Sequence, residues 1–262
     1  MIRGLYSAAA GMLSSQLREG VIADNLANGG TVGYKARAAT LADFGGLALQ
    51  RSEPFAVTLA GVRSRFAVGI GTVTSGSLVD STAIDWRAGP LRPSDNPFAV
   101  AIAGPGFFGV KTPQGLRFTR AGDFQLNAQG DLVTPAGALV LGSGGQPIRI
   151  PHGAAAGTPT IEPTGQIRVA GAIVGRLALF GPALAALRPA GGALFALPAG
   201  TAAPAPGPGA FRPGFLEGSN VGQVGQMAAL LATEQAFAAD QRAVQTADHT
   251  MNLVITQVGT VV

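Results

Sequence analysis

The two histidines, His152 and His249, and the carboxylates Asp80 and Asp85 are the side chains best suited to acid–base or ligand chemistry. Histidine titrates near neutrality and binds metals readily. Here the two stand almost a hundred positions apart, one in "IPHGAA" beside an expected turn and one near the C-terminal end. Asp80 and Asp85 lie in a polar stretch and read as solvated groups rather than a paired acid and base. No serine sits in a Gly-x-Ser-x-Gly context, no His-Glu-x-x-His occurs, and the chain holds no cysteine. "GSGGQ" (142–146) has the glycine of a phosphate loop without its Gly-Lys-Ser/Thr ending or a following helix. "GPGFFG" (104–109) runs on into apolar residues and reads as a β-turn. These residues supply no catalytic group, no metal ligand set and no cofactor site.

Composition narrows the classes further. The 262 residues suffice for one large domain or two modest ones. Lysines and arginines number 18 against 14 acidic residues, a net charge of +4. The arginines are dispersed, and Lys35 and Lys111 are the only lysines, so no basic face for nucleic acid is indicated. Charged residues make up 12%, about half the usual share of roughly 25%. That balance suits a chain that buries much of its surface, in part against copies of itself. No apolar run is long enough for membrane insertion: Ala172 to Leu187 is interrupted by Arg176 and Pro182. No secretory signal is read at the start.

The elements that must position any site fall into helical ends and a β middle. Gly4 to Ala27 lacks proline and predicts a helix ended by Gly29 and Gly30. Leu5, Met12 and Leu26 share one heptad register, while Tyr6, Leu13 and Leu17 form an adjoining stripe. At the other end Leu230, Phe237, Val244, Met251 and Val258 recur every seven residues. Ala247, Val254 and Val261 fill the second seam position, which earlier holds Thr233 and Asp240. A helix from about 220 to 258 is predicted, with Asn220 and Gln223 as a capping box. Between these ends, Phe98–Ala103, Phe107–Thr112, Leu116–Leu126 and Leu132–Leu141 read as strands separated by "TPQG" (112–115) and "NAQG" (127–130). Residues 188–215 are rich in Pro and Gly and read as an irregular connection.

The expected fold class is therefore α+β. Long N- and C-terminal helices would form a coiled-coil-like core, with a central antiparallel all-β domain. The expected domains are a terminal helical assembly domain (1–35 and 220–262), an irregular or extended connecting segment (36–97), a β-rich outer domain (98–187) and a Pro/Gly-rich return segment (188–219). Paired terminal helices would let units pack side by side through a heterologous interface, which builds a ring or an open helical filament.

One stretch, "NLANGGTVGYK" (25–35), is more specific than a helix stop requires. Asparagines tolerate the left-handed conformation and bond nearby backbone groups, and the glycines permit a sharp redirection. Tyr34 and Lys35 would then offer an aromatic body and a cation to a neighbouring surface. The stretch closely resembles the signature of the rod and hook family of bacterial flagellar axial proteins: Asn25, Leu26, Ala27, Asn28, Thr31, Gly33, Tyr34 and Lys35 match it. A second block resembles the family's strands, carried by Gly104, Gly106, Phe107, Phe108, Thr119, Arg120, Gly122, Phe124, Gly130, Leu132 and Gly137. A third match is "LEGSNV" (216–221) leading to "QTAD" (245–248).

The resemblance implies a structural, non-enzymatic subunit of the flagellar basal body. It would be exported without a cleaved signal and would polymerise through its terminal helices into the periplasm-spanning rod that transmits torque to the hook. Its implied partners are its own copies, other rod and hook proteins, the export apparatus and the bushing rings around the rod. The interval from "NLAN" to "VGIG" (68–71) is as long as in distal rod members. Departures at Phe98-Ala99 and at Glu234–Ala238 keep proximal rod and rod–hook junction members as alternatives. Leu5, Met12, Leu13, Asn25, Leu26, Asn28, Tyr34, Leu230, Phe237, Val244, Met251 and Val258 are the expected assembly residues. A hydrolase acting on peptidoglycan is the rival from another class.

Overall fold

The computed structural model describes residues 2–43, 47–52, 57–59, 62–64, 67–73, 76–150, 159–201 and 204–258. His152 and Val261 lie outside them. One helix opens the chain, α1 (Ile2–Ala27), and one closes it, α2 (Gln223–Val258), with short strands between. The chain divides into two compact units. The first comprises Met1–Asp24, Arg37–Ala83 and Val224–Val262, and the second Asn25–Ala36 and Ile84–Gln223.

In the first unit the helices are accompanied by strand pairs. Arg37–Asp43 pairs with Ser77–Ile84, Leu47–Ser52 with Ala67–Val73, and Val57–Leu59 with Val62–Ser64. The expected coiled-coil-like helical core is corrected here. The architecture is β-rich α+β, with one helix at each end of a multi-sheet β region. A coiled coil inserts its seam residues into holes between facing side chains. Leu230, Phe237, Val244 and Met251 are only half-buried, and Thr233 is the one fully buried side chain of α2 among the described residues. On α1 the buried positions include the small Ala8, Ser14 and Ser15. At one point the two helices approach through small and polar groups: Asp240 Oδ2 lies 2.3 Å from where a Cβ on Gly11 would stand. Periodicity puts apolar residues on one face, but a shared face does not by itself supply the facing holes that a coiled coil needs.

The second unit holds an antiparallel seven-stranded sheet. Its order is Gln125–Leu126, Leu132–Val133, Leu139–Val140, Phe108–Thr112, Gly115–Thr119, Leu194–Ala196 and Arg188–Pro189. The hairpin at "TPQG" pairs Thr112 with Gly115, and "NAQG" closes a turn through Gly130 N–H to Asn127 O at 3.0 Å. Thr160–Ile161, Gln166–Val169 and Ala172–Arg176 form a three-stranded sheet.

Successive strand residues face opposite sides. The adjacent Phe107 and Phe108 accordingly serve two cores. Phe108 packs with Val100, Val110, Phe124, Leu132, Val140, Ile167 and Phe211. Phe107 packs with Phe118, Leu187 and Phe195, against which Trp86 and Phe180 rest. Residues 188–215, expected to be irregular, contribute Arg188–Pro189 and Leu194–Ala196 to the large sheet. They also include Ala210–Pro213, which pairs with Val100–Ala103. Proline is tolerated at such strand edges.

Candidate functional site

The residues that could have done chemistry are dispersed. His249 and Asp80 are exposed, and Asp85 is engaged by Arg87, whose hydrogen bonds hold its carboxyl below the ordinary range. "GSGGQ" is a turn, exposed from Ser143 to Gln146 and closed by Gly145 N–H to Gly142 O at 2.8 Å. Among the described residues no group of His, Asp and Glu could hold a metal ion, and no helix is long and apolar enough to cross a membrane.

What the fold does assemble, within the second unit, is a buried junction of the three sequence motifs. The Lys35 ammonium lies 2.5 Å from Glu217 Oε1 and donates to Arg87 O at 2.8 Å. Arg120 donates through Nη1 to Glu217 Oε2 at 3.2 Å, and through Nη2 to Gly104 O at 2.8 Å. Glu217 Oε1 also accepts from Gly89 N–H at 3.1 Å. All three side chains are buried: Lys35 is 2% exposed, Glu217 1% and Arg120 7%. Burial pushes the Lys35 ammonium below its ordinary value against the pull of Glu217, and it lowers Arg120 in the same way. One carboxylate thus compensates two cations, so Glu217 is the member whose loss leaves the most charge uncovered.

The strand Phe215–Glu217 supplies the carboxylate, held by pairing with Leu91–Pro93. The "NLANGGTVGYK" stretch supplies Lys35 after a turn at Gly33, whose N–H bonds Glu217 O at 2.7 Å. Gly33 takes a φ of +69°, and a Cβ there would stand 2.2 Å from Ala121 N. Only glycine fits that combination. Arg120 follows the strand Gly115–Thr119, and its guanidinium carbon sits 5.2 Å from the Phe107 ring centre.

Asn220 completes the junction. Its Oδ1 accepts from Ala36 N–H at 2.7 Å, while Nδ2 donates to Asp85 O at 2.8 Å and Arg87 O at 3.0 Å. The expected capping box with Gln223 is therefore replaced: the Asn220 side chain binds three backbone groups of two other segments. Asn220→Ala is expected to destabilise the unit by about 0.5–1.5 kcal/mol, because it removes the hydrogen bonds to the part-buried Ala36 N–H and Asp85 O, while Arg87 O keeps its bond from Lys35. Denaturant unfolding followed by Trp86 fluorescence checks it. A loss below about 0.5 kcal/mol would show that water replaces the amide at no cost.

The residues expected at an assembly surface are distributed as follows. Leu5, Met12 and Leu26 on α1 are half-buried, as are Leu230, Phe237, Val244 and Met251 on α2; Val258 is the last residue of α2. Leu13 is 58% exposed. Asn28 is half-buried, its Oδ1 accepting from Thr31 Oγ1 at 3.2 Å. Asn25 and Tyr34 are buried, the Tyr34 hydroxyl donating to Asn25 Oδ1 at 3.3 Å. Tyr34 and Lys35 thus have their partners inside the same chain. The sequence reading did not bring Lys35, Arg120 and Glu217 together. The available signal was the presence of charges inside motif segments of a charge-poor chain.

Residues 101–169 match the family model of the flagellar hook protein FlgE/F/G D1 domain, and residues 212–256 that of the flagellar basal body rod FlgEFG protein C-terminal. The flagellar basal-body rod protein FlgG of Bacillus subtilis (strain 168) is 30% identical over 97% of this chain and 98% of the relative. FlgG of Caulobacter vibrioides is 31% identical over 94% and 96%. The flagellar basal-body rod protein FlgF of Mesorhizobium japonicum is 31% identical over 89% and 88%. The first matched segment contains Arg120 and the second contains Glu217 and Asn220, so the buried junction joins the two matched regions to the motif at Asn25–Lys35. With relatives at this identity along nearly its whole length, the chain belongs to the flagellar basal-body rod protein family.

Proposed function

We propose that the protein is a structural subunit of the flagellar basal-body rod that polymerises through its terminal helices and carries torque toward the hook. The observation that carries this reading is the apolar surface left on both helices. Tyr6, Leu13 and Leu17 on α1 are 65%, 58% and 48% exposed, and Val224, Met227 and Leu231 on α2 are 83%, 52% and 60% exposed. Exposed apolar patches of this kind mark protein–protein contact. The distal-rod reading within the family is supported by the long interval from "NLAN" to "VGIG", while FlgG and FlgF relatives alike cover most of the chain. Other rod and hook proteins are the proposed neighbours, with the export apparatus and the bushing rings as further partners. A periplasm-spanning position, reached by export through the flagellar channel, belongs to the same proposal. The relatives named above are rod proteins, and nothing in them favours a peptidoglycan hydrolase.

Leu13→Asp tests the reading. The side chain is exposed, so the subunit's own stability is expected to change by no more than about 0.5 kcal/mol. Burial of a carboxylate in an apolar contact is unfavourable, so rod formation and motility are expected to be lost. Electron microscopy of basal bodies from cells making the variant provides the measurement. Normal rods would sink the assignment of this helix face to assembly.

A further inference from the structure

We propose that a cavity beside the buried junction is a docking pocket for an acidic side chain carried on an apolar segment of a partner protein. The cavity has a volume of about 440 Å³ and lies within the second unit. It is lined by Lys35, Arg120, Trp86, Phe107, Pro105 and Pro182, among others. Its charge is not balanced by the chain itself. Lys35 and Arg120, which line it, face the single carboxylate of Glu217, two cations against one carboxylate, while Arg87 and Asp85 pair with each other outside the lining. Arg120 Nε is buried and has no hydrogen-bond partner, and the Lys35 ammonium uses two of its three protons on Glu217 and Arg87. The site therefore carries one positive charge that its own carboxylate does not compensate, and the Arg120 side chain, 9% exposed and part of the cavity lining, is where an anion meets it.

The remaining walls define the rest of the occupant. Lys35 and Arg120 are the polar side chains among the lining residues, and the others are aromatic, aliphatic, proline or glycine. A sugar or nucleotide would find no partners for its hydroxyl groups or base edges. A single carboxylate flanked by apolar side chains satisfies both the charge and the walls. The carboxylate would meet Arg120 in the field of the buried Lys35, and its neighbours would pack on Trp86, Phe107 and the prolines. This pocket is separate from the exposed helix faces, and the inference does not depend on the rod assignment.

Trp86 is the chain's single tryptophan and reports occupancy directly. The full chain is titrated with the peptide acetyl-Leu-Glu-Phe-amide and with its glutamine counterpart, and Trp86 emission is followed. A saturable change with the glutamate peptide, at least tenfold tighter than with glutamine, is the expected result. Ala88→Glu places a carboxylate on an exposed lining residue and is expected to abolish the response, whereas Ala88→Gln keeps it. Leu184→Glu, on another exposed lining residue, provides the same test should Ala88→Glu fail to fold. Equal response to both peptides, no response up to millimolar peptide, or undiminished binding by the folded glutamate variants would each overturn the proposal. An equal response to sodium acetate at matched concentration would also overturn it, since the apolar walls would then contribute nothing.

Discussion

Glu217→Ala is expected to destabilise the second unit by about 3–5 kcal/mol, the range for breaking a buried ion pair by removing one partner. The carboxylate stands between two cations that are almost completely buried, so its loss leaves Lys35 and Arg120 facing each other without compensation. It also strands Gly89 N–H. Lys35→Met is expected to cost less, about 1–3 kcal/mol, because the Arg120–Glu217 pair that remains is balanced. Adding Lys35→Met to Glu217→Ala should therefore recover part of the loss, since one uncompensated cation is removed. Trp86, packed on Phe107 and Phe195 at ring distances of 5.6 and 5.0 Å, reports the unfolding of this unit. If Lys35→Met proved as costly as Glu217→Ala, or the double variant fell below both, the charge-balance account would fail.

Gly33→Ala should rank close behind, at about 3 kcal/mol or more. Two independent effects add. A left-handed conformation costs a residue with a Cβ roughly 1–2 kcal/mol. The new carbon would also stand 2.2 Å from Ala121 N and 2.4 Å from Arg120 C, and backbone cannot swing aside as a flexible side chain can. Displacing that backbone moves Arg120 away from Glu217, so the substitution strikes the same junction from the other side. Gly30→Ala is the control. It lies three residues earlier, has no atom within 4 Å of the built Cβ and has no positive φ. It is expected to change stability by less than about 0.5 kcal/mol. Thermal unfolding of the pair decides the matter: similar melting temperatures would remove the steric argument.

The two helices show how far a repeating pattern reaches. The absence of proline, the glycine stop and the spacing of apolar residues locate α1 and α2 to within a few residues of Ile2–Ala27 and Gln223–Val258. The same spacing predicts an interlocked seam, which the half-buried Leu230, Phe237, Val244 and Met251 do not form. Periodicity says which side chains share a face. It does not say what stands opposite, and here Gly11 meets the carboxylate of Asp240. Phe98 to Leu141 was read as strands because alternation and turn residues are local properties, and the hairpin at Thr112–Gly115 follows from them.

The junction is a different kind of object. "NLANGGTVGYK", "TRAG" and "LEGSN" could be singled out as motifs, and the turn chemistry of Gly33 could be anticipated from residue type. Lys35 and Glu217, however, are separated by 182 positions, and Arg120 and Glu217 by 97. Which cation meets which carboxylate depends on the pairing of Phe215–Glu217 with Leu91–Pro93 and on the path of the chain through Gly33. Asn220 makes the point at one residue. Locally its amide could cap α2, but the fold presents Ala36 N–H and two carbonyls within 3.0 Å, and those bonds are made instead. Local conformation follows from neighbours a few residues away, so the sequence by itself determined the helices, the hairpins and the family. Burial and partner choice arise only when distant segments close together and exclude water, so the tertiary structure alone decided that Tyr34 and Lys35 lie inside the protein, bonded to their own chain.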